Sequence, residues 1–464
     1  MNTTFIVFGI TGDLSKRKLI PGLYQLIKDK KLNNFAIIGV GLEDKKNDDI
    51  LNPSKEFVHD LDKDIWQHFV SHFFYLKNDV RDEHDFQKLK ELILEKEKEY
   101  KLSGNRLAYC ATPAKVFEDI TKYLVKFGIL KRKETSDKCW YRIAYEKPFG
   151  YDLDSAKKLN KTILSLLDES QIYRVDHYLA KEIVENILYI RFTNHIFKAL
   201  WNSQNIESVQ IILGESYGVG TRGSYYDSYG ALNDVVQNHM LQLLALVGMN
   251  EPQKLTGDDI RNCKAQILKD VRVDSGFLGQ YEGYKNEPGI SKESETETFA
   301  VLKLFVNDDR WKDVPFYLKT GKALKEKSTK IHIQFKKVDC KLTKSSCPIE
   351  GNVLTLTVFP QGGFSFEVNA KKPGERDAVV PVVMDFCYEC LMPSTPEAYE
   401  YILQDIISGD QAISVRFDEI EYSWQIIDSF KKLNLPLYIY EQNSKGPEKE
   451  LIEFASKNKF TWRD

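Results

Sequence analysis

The chain has 464 residues, enough for two or three domains at roughly 100–200 residues each. Hydrophobic residues make up 42% and charged residues 29%, which is ordinary for a soluble globular protein. The formal net charge of −3 gives no electrostatic basis for a nucleic-acid partner, so any anion site must be local.

The cysteines and the first apolar run indicate a compartment. The seven cysteines are scattered, and the run from Phe5 to Phe8 is too short for a signal peptide or a membrane span. We therefore expect reduced thiols, a cytoplasmic location, no membrane partner and no metal site. Cys387 and Cys390 form the only close pair, and we interpret them as ordinary packing residues.

The first predicted elements are an apolar strand over 4–8, a glycine turn, and a helix that ends near Lys30. A strand, a glycine turn and a helix can bind a diphosphate, because small residues let the backbone approach and the helix N-terminus faces the anion. Two glycines are common in such turns, but their place after a buried strand favours a dinucleotide. The candidate cofactor-binding residues here are Gly9, Thr11, Gly12, Asp13 and Leu14.

The second predicted strand, 35–40, bears on the choice of cofactor. A carboxylate just past this strand hydrogen-bonds the adenosine 2′-hydroxyl, whereas an arginine there receives a 2′-phosphate. The sequence has Leu42 and then Glu43, which favours NAD over NADP. The alternative is an acidic surface loop in which Lys45 or Lys46 turns back.

Strands and helices continue to alternate up to about residue 177, which predicts a right-handed, doubly wound parallel sheet of the Rossmann type. Further cofactor candidates, at the carboxyl ends of strands, are Thr112, Pro113, Glu146 and Lys147. Pro148 fixes the backbone beside Lys147, so this lysine is a positioned cation.

The stretch from Tyr173 to Glu182 combines a carboxylate, an imidazole, a phenol, an ammonium and a guanidinium. We predict that His177 and Lys181, four residues apart, project from one face of a helix. A cationic face near a helix N-terminus suits a phosphate dianion. The alternative interpretation is a solvated charged turn, although solvated faces usually repeat Glu/Lys pairs.

From about residue 178 the pattern changes to strands without intervening helices, which predicts a mostly antiparallel sheet. We expect two domains: a dinucleotide-binding domain over 1–177, and an α+β substrate-binding and oligomerisation domain over 178–464. Predicted helices over 231–247 and 399–407, with the segment 183–200, would cover one face of the sheet. By residue pattern alone, His239 is more typical of a packed core histidine than of a catalytic base.

Four motifs, taken together, resemble the glucose-6-phosphate dehydrogenase family in order and spacing, and the likeness extends over nearly the whole chain. The motifs are Gly9-x-x-Gly12-Asp13-Leu14-x-Lys16, Glu146-Lys147-Pro148-Phe149-Gly150, Arg174-Val175-Asp176-His177-Tyr178-Leu179-x-Lys181-Glu182 and Asp234-Val235-Val236-Gln237-Asn238-His239.

The resemblance implies oxidation of glucose 6-phosphate at C1 to 6-phosphogluconolactone by a nicotinamide cofactor, as in the first step of the oxidative pentose phosphate pathway. By matched position, His239 would be the general base and Asp176 its carboxylate partner. The family likeness also supports a homodimer or homotetramer. The implied substrate-binding residues are Lys147, His177, Tyr178, Lys181, Glu215, Asp234, Lys322 and Lys327.

These roles agree with the chemistry. Hydride leaves C1 only as the hydroxyl proton is removed, and a positioned histidine contributes roughly 10²–10⁴ in rate. A carboxylate on the far ring nitrogen fixes the tautomer and stabilises the imidazolium that forms.

The chain departs from the family pattern at four positions. Leu42 replaces an arginine of NADP-using members, which removes a charge-assisted contact and strengthens the prediction of NAD. Asn233 and Lys327 each replace an arginine, and Phe359 replaces a glutamine. These changes leave the exact sugar open.

Two alternative functions remain at this point. One is a dehydrogenase of the same fold that acts on another 6-substituted hexose, such as a sulfo-sugar. The other is a catalytically silent nucleotide-binding protein.

Overall fold

The structure is a computed structural model that describes residues 2–134, 138–338, 350–375, 378–391 and 397–463. The chain divides into two units. The first contains Met1–Ala180, Gln253–Arg261 and Pro396–Glu421, and the second contains Lys181–Pro252, Asn262–Thr395 and Tyr422–Asp464. Two later segments thus join the unit built by the first 180 residues, which reading the sequence in order does not detect.

The first unit contains a parallel sheet of six strands in the order β3-β2-β1-β4-β5-β6. This is the Rossmann order, in which ligands bind outside the carboxyl ends of the strands, at the point where the order reverses. That point lies between β1 and β4. The strands are β1 (Asn2–Phe8), β2 (Asn34–Gly41), β3 (Phe73–Lys77), β4 (Arg106–Cys110), β5 (Tyr141–Tyr145) and β6 (Ile172–Arg174).

Both faces of this sheet are covered. In β1, Phe5 and Val7 belong to one core cluster, whereas Ile6 and Phe8 belong to another. Side chains alternate across a strand, so a parallel strand covered on both faces becomes a continuous apolar run. The helices of this unit are Ser15–Leu19, Ile20–Lys28, Asn47–Ser54, Lys55–Phe57, Lys63–Ser71, Glu83–Glu99, Ala114–Val116, Phe117–Lys126, Leu153–Leu166, Glu169–Gln171 and Ala398–Ser408.

Helix Ala398–Ser408 is part of the first unit although it comes late in the chain. Leu403 belongs to the core cluster that includes the side chains of β1. The guanidinium of Arg142 donates hydrogen bonds to the carbonyls of Ile406 and Ile407, at 2.6 and 2.7 Å. The last carbonyls of a helix lack partners within the helix, so this arginine also satisfies its C-terminus.

The second unit contains a nine-stranded sheet in the order β14-β13-β12-β11-β7-β10-β9-β8-β15. Only the β7–β10 and β8–β15 pairs of this sheet are parallel, so the prediction of a mostly antiparallel sheet is confirmed. The strands are β7 (Ile206–Gly214), β8 (Val271–Tyr281), β9 (Phe299–Val306), β10 (Phe316–Gly321), β11 (Ser328–Phe335), β12 (Val353–Phe359), β13 (Gly363–Lys371), β14 (Val379–Cys387) and β15 (Leu437–Tyr440).

The predicted segment 183–200 is divided at Asn194, which has an extended backbone. None of the described helices is long and apolar enough to cross a membrane. Helices Gly257–Lys269 and Phe417–Lys431 each run from a segment of the first unit into one of the second. The other helices of the second unit are Glu182–Thr193, His195–Leu200, Gly220–Arg222, Gly223–Asp227, Leu232–Met240, Leu241–Gly248, Tyr284–Asn286, Asp309–Trp311, Tyr388–Leu391 and Glu448–Lys457.

The cysteines require one correction. Cys387 and Cys390 form a disulfide, so the expectation of reduced thiols is wrong for this pair. A helical turn over Tyr388–Leu391 begins between them, and residues three apart are neighbours on a helix. Cys110, Cys139 and Cys263 form no disulfide with any described residue, and the remaining two cysteines, at 340 and 347, lie outside the described residues.

Candidate active site

The glycine turn lies at the reversal point of the parallel sheet. Gly9 follows β1 with a φ of +79°, and a Cβ on it would lie 2.6 Å from the carbonyl oxygen of Ala111. Only glycine fits such a position. The N–H of Gly12 and the hydroxyl of Ser15 both donate to the Gly9 carbonyl, each at 3.0 Å. The turn is therefore closed by its own bonds, with small residues where a ligand would approach.

Thr112 provides an independent test of whether a dinucleotide fits. Its hydroxyl oxygen is buried and has no hydrogen-bond partner among the described residues. A Cβ on Gly9 would lie 3.2 Å from the Thr112 methyl carbon, so this threonine borders the turn. A buried hydroxyl without a partner is unfavourable. The unmet hydrogen bond beside the glycine turn fits an oxygen of a bound diphosphate.

The other candidates of this turn differ in their surroundings. Asp13 is exposed and pairs with Arg17 at 2.6 Å, a surface ion pair that contributes little stability. Leu14 packs against the first unit's core. Thr11 is half-buried and Pro113 is exposed. These residues and Thr112 follow β1 or β4, so the structure brings them to one edge of the sheet.

The loop after β2 contains an internal ion pair. The Glu43 carboxylate pairs with the ammonium of Lys45, so the predicted alternative of a lysine turning back occurs within this loop. The hydroxyl of Tyr75 donates to the Glu43 carbonyl at 2.5 Å and fixes the loop to β3. Leu42 is 63% exposed. The loop thus presents an exposed apolar side chain directly after β2.

Glu146 follows β5, and the pKa of its carboxyl is strongly raised. Its Oε1 atom accepts hydrogen bonds from the hydroxyls of Tyr109 (2.6 Å) and Tyr399 (3.0 Å). Burial raises the pKa of the carboxyl to about 7, against the opposing effects of the two phenols and of Lys147. Sequence reasoning missed both tyrosines. A carboxyl with a pKa near neutrality can exchange a proton beside the cofactor edge.

Arg174, in β6, has a structural role. Its guanidinium binds the Glu169 carboxylate through two bonds (2.6 and 3.1 Å) and donates to the Asn160 side chain at 2.9 Å. Asp176 follows β6 and is only 4% exposed. These bonds therefore join β6, which ends two residues before Asp176, to helices Leu153–Leu166 and Glu169–Gln171.

The predicted helical face of His177 and Lys181 is wrong. The Asp176 carboxylate accepts the N–H of Tyr178 at 2.9 Å, which stabilises a turn instead of a helix. Lys181 has an extended backbone, and the helix begins only at Glu182. His177 and Tyr178 are half-buried, with ring centroids 4.9 Å apart. His177 and Lys181 thus both precede the helix.

The part-buried Glu215 forms an ion pair with a buried lysine, Lys322, in the second unit. They follow β7 and β10, a parallel pair in which Gly214 lies opposite Gly321, so the register brings the next residues together. Lys322 is 2% exposed, and its ammonium lies 4.9 Å from the Tyr226 ring centroid. The sequence predicted Glu215 and Lys322 as substrate-binding residues, without predicting that they pair.

Asp234 and His239 lie on the π-helix Leu232–Met240, which continues into α-helix Leu241–Gly248. Hydrogen bonds of a π-helix join residues five apart, and short π segments often occur at functional sites. Asp234 and His239 are five apart, so the wider turn brings them closer to one side than an α-helix would. His239 is 3% exposed, and its backbone N–H donates a hydrogen bond to the side-chain oxygen of Asn238 at 2.7 Å.

Lys327 lies at the same end of the sheet. It precedes β11, in which Ser328 pairs with Gly214. Its ammonium lies 4.4 Å from the ring centroid of Phe359, the last residue of β12. Lys327 and Phe359, two positions at which the chain departs from the family pattern, thus contact each other through a cation–π interaction.

Each unit, described by itself, supplies one feature that points to the class of protein. A Rossmann sheet with a glycine turn at its reversal point, and a second unit with charged side chains at one end of a mostly antiparallel sheet, define a nicotinamide-dependent oxidoreductase. Sequence profiles give the family. The profile described as glucose-6-phosphate dehydrogenase, NAD binding domain, matches residues 6–186, and the C-terminal domain profile matches 188–463. The chain belongs to the glucose-6-phosphate dehydrogenase family.

Individual relatives support the same family assignment. Proteins named glucose-6-phosphate 1-dehydrogenase from Chlamydia pneumoniae and Bacillus subtilis are each 38% identical to this chain. The alignments cover 99% and 98% of this chain, and 95% and 97% of those proteins. A solved glucose-6-phosphate dehydrogenase in complex with glucose 6-phosphate has 32% identity and a TM-score of 0.91, covering 100% of this chain and 99% of that one. A crystal structure of glucose-6-phosphate 1-dehydrogenase from Mycobacterium avium has 32% identity and a TM-score of 0.85, covering 100% of this chain and 99% of that one.

Proposed function

We propose that this protein oxidises C1 of glucose 6-phosphate to 6-phosphogluconolactone, as in the first step of the oxidative pentose phosphate pathway. The observation that carries the proposal is the chain-long likeness to a dehydrogenase solved with that substrate, at a TM-score of 0.91. The Glu215–Lys322 ion pair supports it, because sugar hydroxyls need fixed donors and acceptors at one place.

Two groups move together in the proposed reaction. The C1–H bond breaks and its electron pair leaves as hydride, while the C1 hydroxyl gives its proton to His239, so that the C1=O bond forms. A bound nicotinamide ring supplies the acceptor for that hydride. Asp176 is the carboxylate partner that orients and stabilises the imidazolium.

The remaining candidates divide by ligand group. Gly9, Gly12 and Thr112 would hold the dinucleotide, together with their neighbours in the two turns. Glu215, Asp234 and Lys322 would bind sugar hydroxyls. His177, Tyr178 and Lys181 would hold the sugar phosphate. Lys147 and Lys327 would make other substrate contacts, with Lys147 also near the cofactor.

The activity is tested with purified protein by following the absorbance of the reduced nicotinamide. We expect turnover of glucose 6-phosphate well above that of glucose or of a sulfo-sugar. His239→Asn should lower kcat by about 10²-fold or more, because it removes the base while keeping the volume. His195→Asn, at an exposed position, is the control. Unchanged turnover in His239→Asn would refute the assigned base.

We further propose that NAD is preferred over NADP. The support is Leu42, an exposed apolar side chain that offers no charged partner for a 2′-phosphate. Leu42→Arg should raise kcat/KM for NADP by about tenfold or more, and Leu42→Gln should not, since it adds reach without charge. Native kcat/KM more than about tenfold higher with NADP would contradict this proposal.

We also propose a homodimer or homotetramer and, as for two Arabidopsis thaliana relatives named cytoplasmic, a cytoplasmic location. The edge strand β14 supports self-association, because Val382, Val383 and Met384 are 39%, 58% and 55% exposed on it. An apolar edge strand is a template for pairing. Val383→Glu should reduce the mass found by light scattering, with exposed Ile452→Glu as the control. A native mass of one chain would refute the proposal.

A further inference from the structure

The segment Glu297–Thr298, just before β9, contacts two of the elements that carry the candidate substrate residues. The Glu297 side chain accepts the N–H of Leu232 at 2.9 Å, and the Glu297 carbonyl accepts the N–H of Ala231 at 3.0 Å. The first N–H groups of a helix lack partners within the helix, and a carboxylate suits that end. One residue thus satisfies two donors at the start of helix Leu232–Met240.

Thr298 holds the turn of Lys322. Its carbonyl accepts the Lys322 N–H at 2.9 Å. Its hydroxyl lies 3.0 Å from that of Tyr440, which donates to the Lys322 carbonyl at 2.7 Å. The Thr298 hydroxyl also accepts the N–H of Tyr281 at 2.9 Å. Neighbouring residues therefore fix the helix of Asp234 and the ion pair of Lys322 relative to each other.

Gly230 leaves room for this arrangement. It has a φ of +70°, and a Cβ on it would lie 2.3 Å from Oε1 of Glu297. That approach is closer than real Cβ atoms reach, so any larger residue would displace the carboxylate. The glycine, the carboxylate and the helix start form one packed unit.

We propose that Glu297 is a positioning residue for the reaction, which sets Asp234 and His239 against the Lys322–Glu215 pair. The inference rests on the proposed function. A displacement of about 1 Å at reacting groups can cost about 10²-fold in rate, even when the change lies away from the chemistry. The hydrogen bond from Leu232 to Glu297 fixes the start of this helix, so its loss could displace Asp234 and His239 by such a distance.

The test compares Glu297→Ala, Glu297→Gln and a matched control. Glu297→Ala should lower kcat/KM for glucose 6-phosphate by about tenfold or more, mostly through kcat. Glu297→Gln should stay within about threefold of the native value, because the amide oxygen accepts the same N–H. Exposed Glu295→Ala, two positions away, should stay at the native value.

Rates are taken well below Tm and normalised to the NADH-binding fraction measured by fluorescence. If Glu297→Ala lowers Tm but keeps the native kcat/KM, the residue is only structural and the proposal is overturned. Equal losses in Glu297→Gln and Glu297→Ala would also overturn it. If the native protein does not turn over glucose 6-phosphate, the proposed function itself is refuted, whatever the variants do.

Gly230→Ala provides a second route that keeps the carboxylate. It should lower kcat in the native background by pushing Glu297 away from Leu232. In the Glu297→Ala background that loss should be markedly smaller, because the two residues act through the same contact. Fully additive losses would contradict the proposal.

Discussion

Glu146 and Glu215 occupy equivalent places in two different sheets. Each follows the last residue of a strand in a parallel pair, β5 beside β4 and β7 beside β10. Glu146 accepts hydrogen bonds from the phenols of Tyr109 and Tyr399, whereas Glu215 meets the buried ammonium of Lys322. The backbone position is the same, but the partner differs.

The difference shows what a partner must supply to a buried carboxylate. At Glu146 the two phenols and the charge of Lys147 do not offset the effect of burial, so desolvation prevails and the pKa of Glu146 rises to about 7. The ammonium of Lys322 balances the charge of Glu215. The carboxyl in the first sheet can therefore exchange a proton near neutral pH, whereas the carboxylate in the second sheet is held in an ion pair.

The largest expected effect comes from removing the cation. Lys322→Met should lower kcat/KM for glucose 6-phosphate by about 100-fold or more. It should lower the free energy of unfolding by about 3 kcal/mol, the low end for a broken buried ion pair, because the part-buried Glu215 loses its partner. Kinetics and urea unfolding measure both. Lys325→Met, at an exposed lysine three residues on, is the control. A fully stable Lys322→Met would mean that the pair does not balance charge.

The second effect concerns pH. The Glu146 pKa is raised from 4.5 to about 7, so between these values the unfolded chain ionises while the folded protein keeps its proton. Stability therefore falls by about 3 kcal/mol as pH rises through this interval and is level above it. Glu146→Gln should remove that slope in unfolding measured across the interval. Glu56→Gln, at an exposed position, should keep it.

Removing one phenol should have a smaller effect. Tyr399→Phe should lower the free energy of unfolding by about 1 kcal/mol, and Tyr109→Phe by at least as much, since its bond is 2.6 Å long against 3.0 Å. Both should raise the Glu146 pKa further, which infrared titration of the carboxyl detects. Exposed Tyr151→Phe should do neither. A lowered pKa would contradict the role of the phenols.

The smallest effect is expected from the phenol beside Glu215. The hydroxyl of Tyr217 donates to Glu215 at 3.0 Å, but Tyr217 is 49% exposed and Lys322 already balances the charge. Tyr217→Phe should cost about 0.5 kcal/mol and change kcat/KM by less than about threefold. A larger cost than that of Tyr399→Phe would reverse the comparison.

The sequence predicted well what local chemistry decides. The glycine turn after β1 was predictable, because a positive φ and close backbone approach need glycine at residue 9. The doubly wound sheet followed from the alternation of elements. Lys322 and Glu215 were identified only by resemblance, because their pairing depends on the register of β7 and β10.

Sequence reasoning failed where a side chain competes with local periodicity or comes from far along the chain. The four-residue spacing of His177 and Lys181 indicates a helix, but the Asp176 side chain captures the Tyr178 N–H first. Tyr399 is 253 positions from Glu146, so no local pattern joins them. The π-helix that carries His239 has no periodic signal in the sequence that we recognised.

The late helix Ala398–Ser408 has a consequence for biosynthesis. During translation the first 180 residues emerge long before the side chains that cover one layer of their sheet, because Ile402, Leu403 and Ile406 belong to that core. Domains otherwise tend to fold in order as they leave the ribosome. The nascent domain lacks this part of its apolar core until the late helix has been synthesised. We therefore expect a fragment that ends at residue 180 to expose apolar side chains and to express poorly.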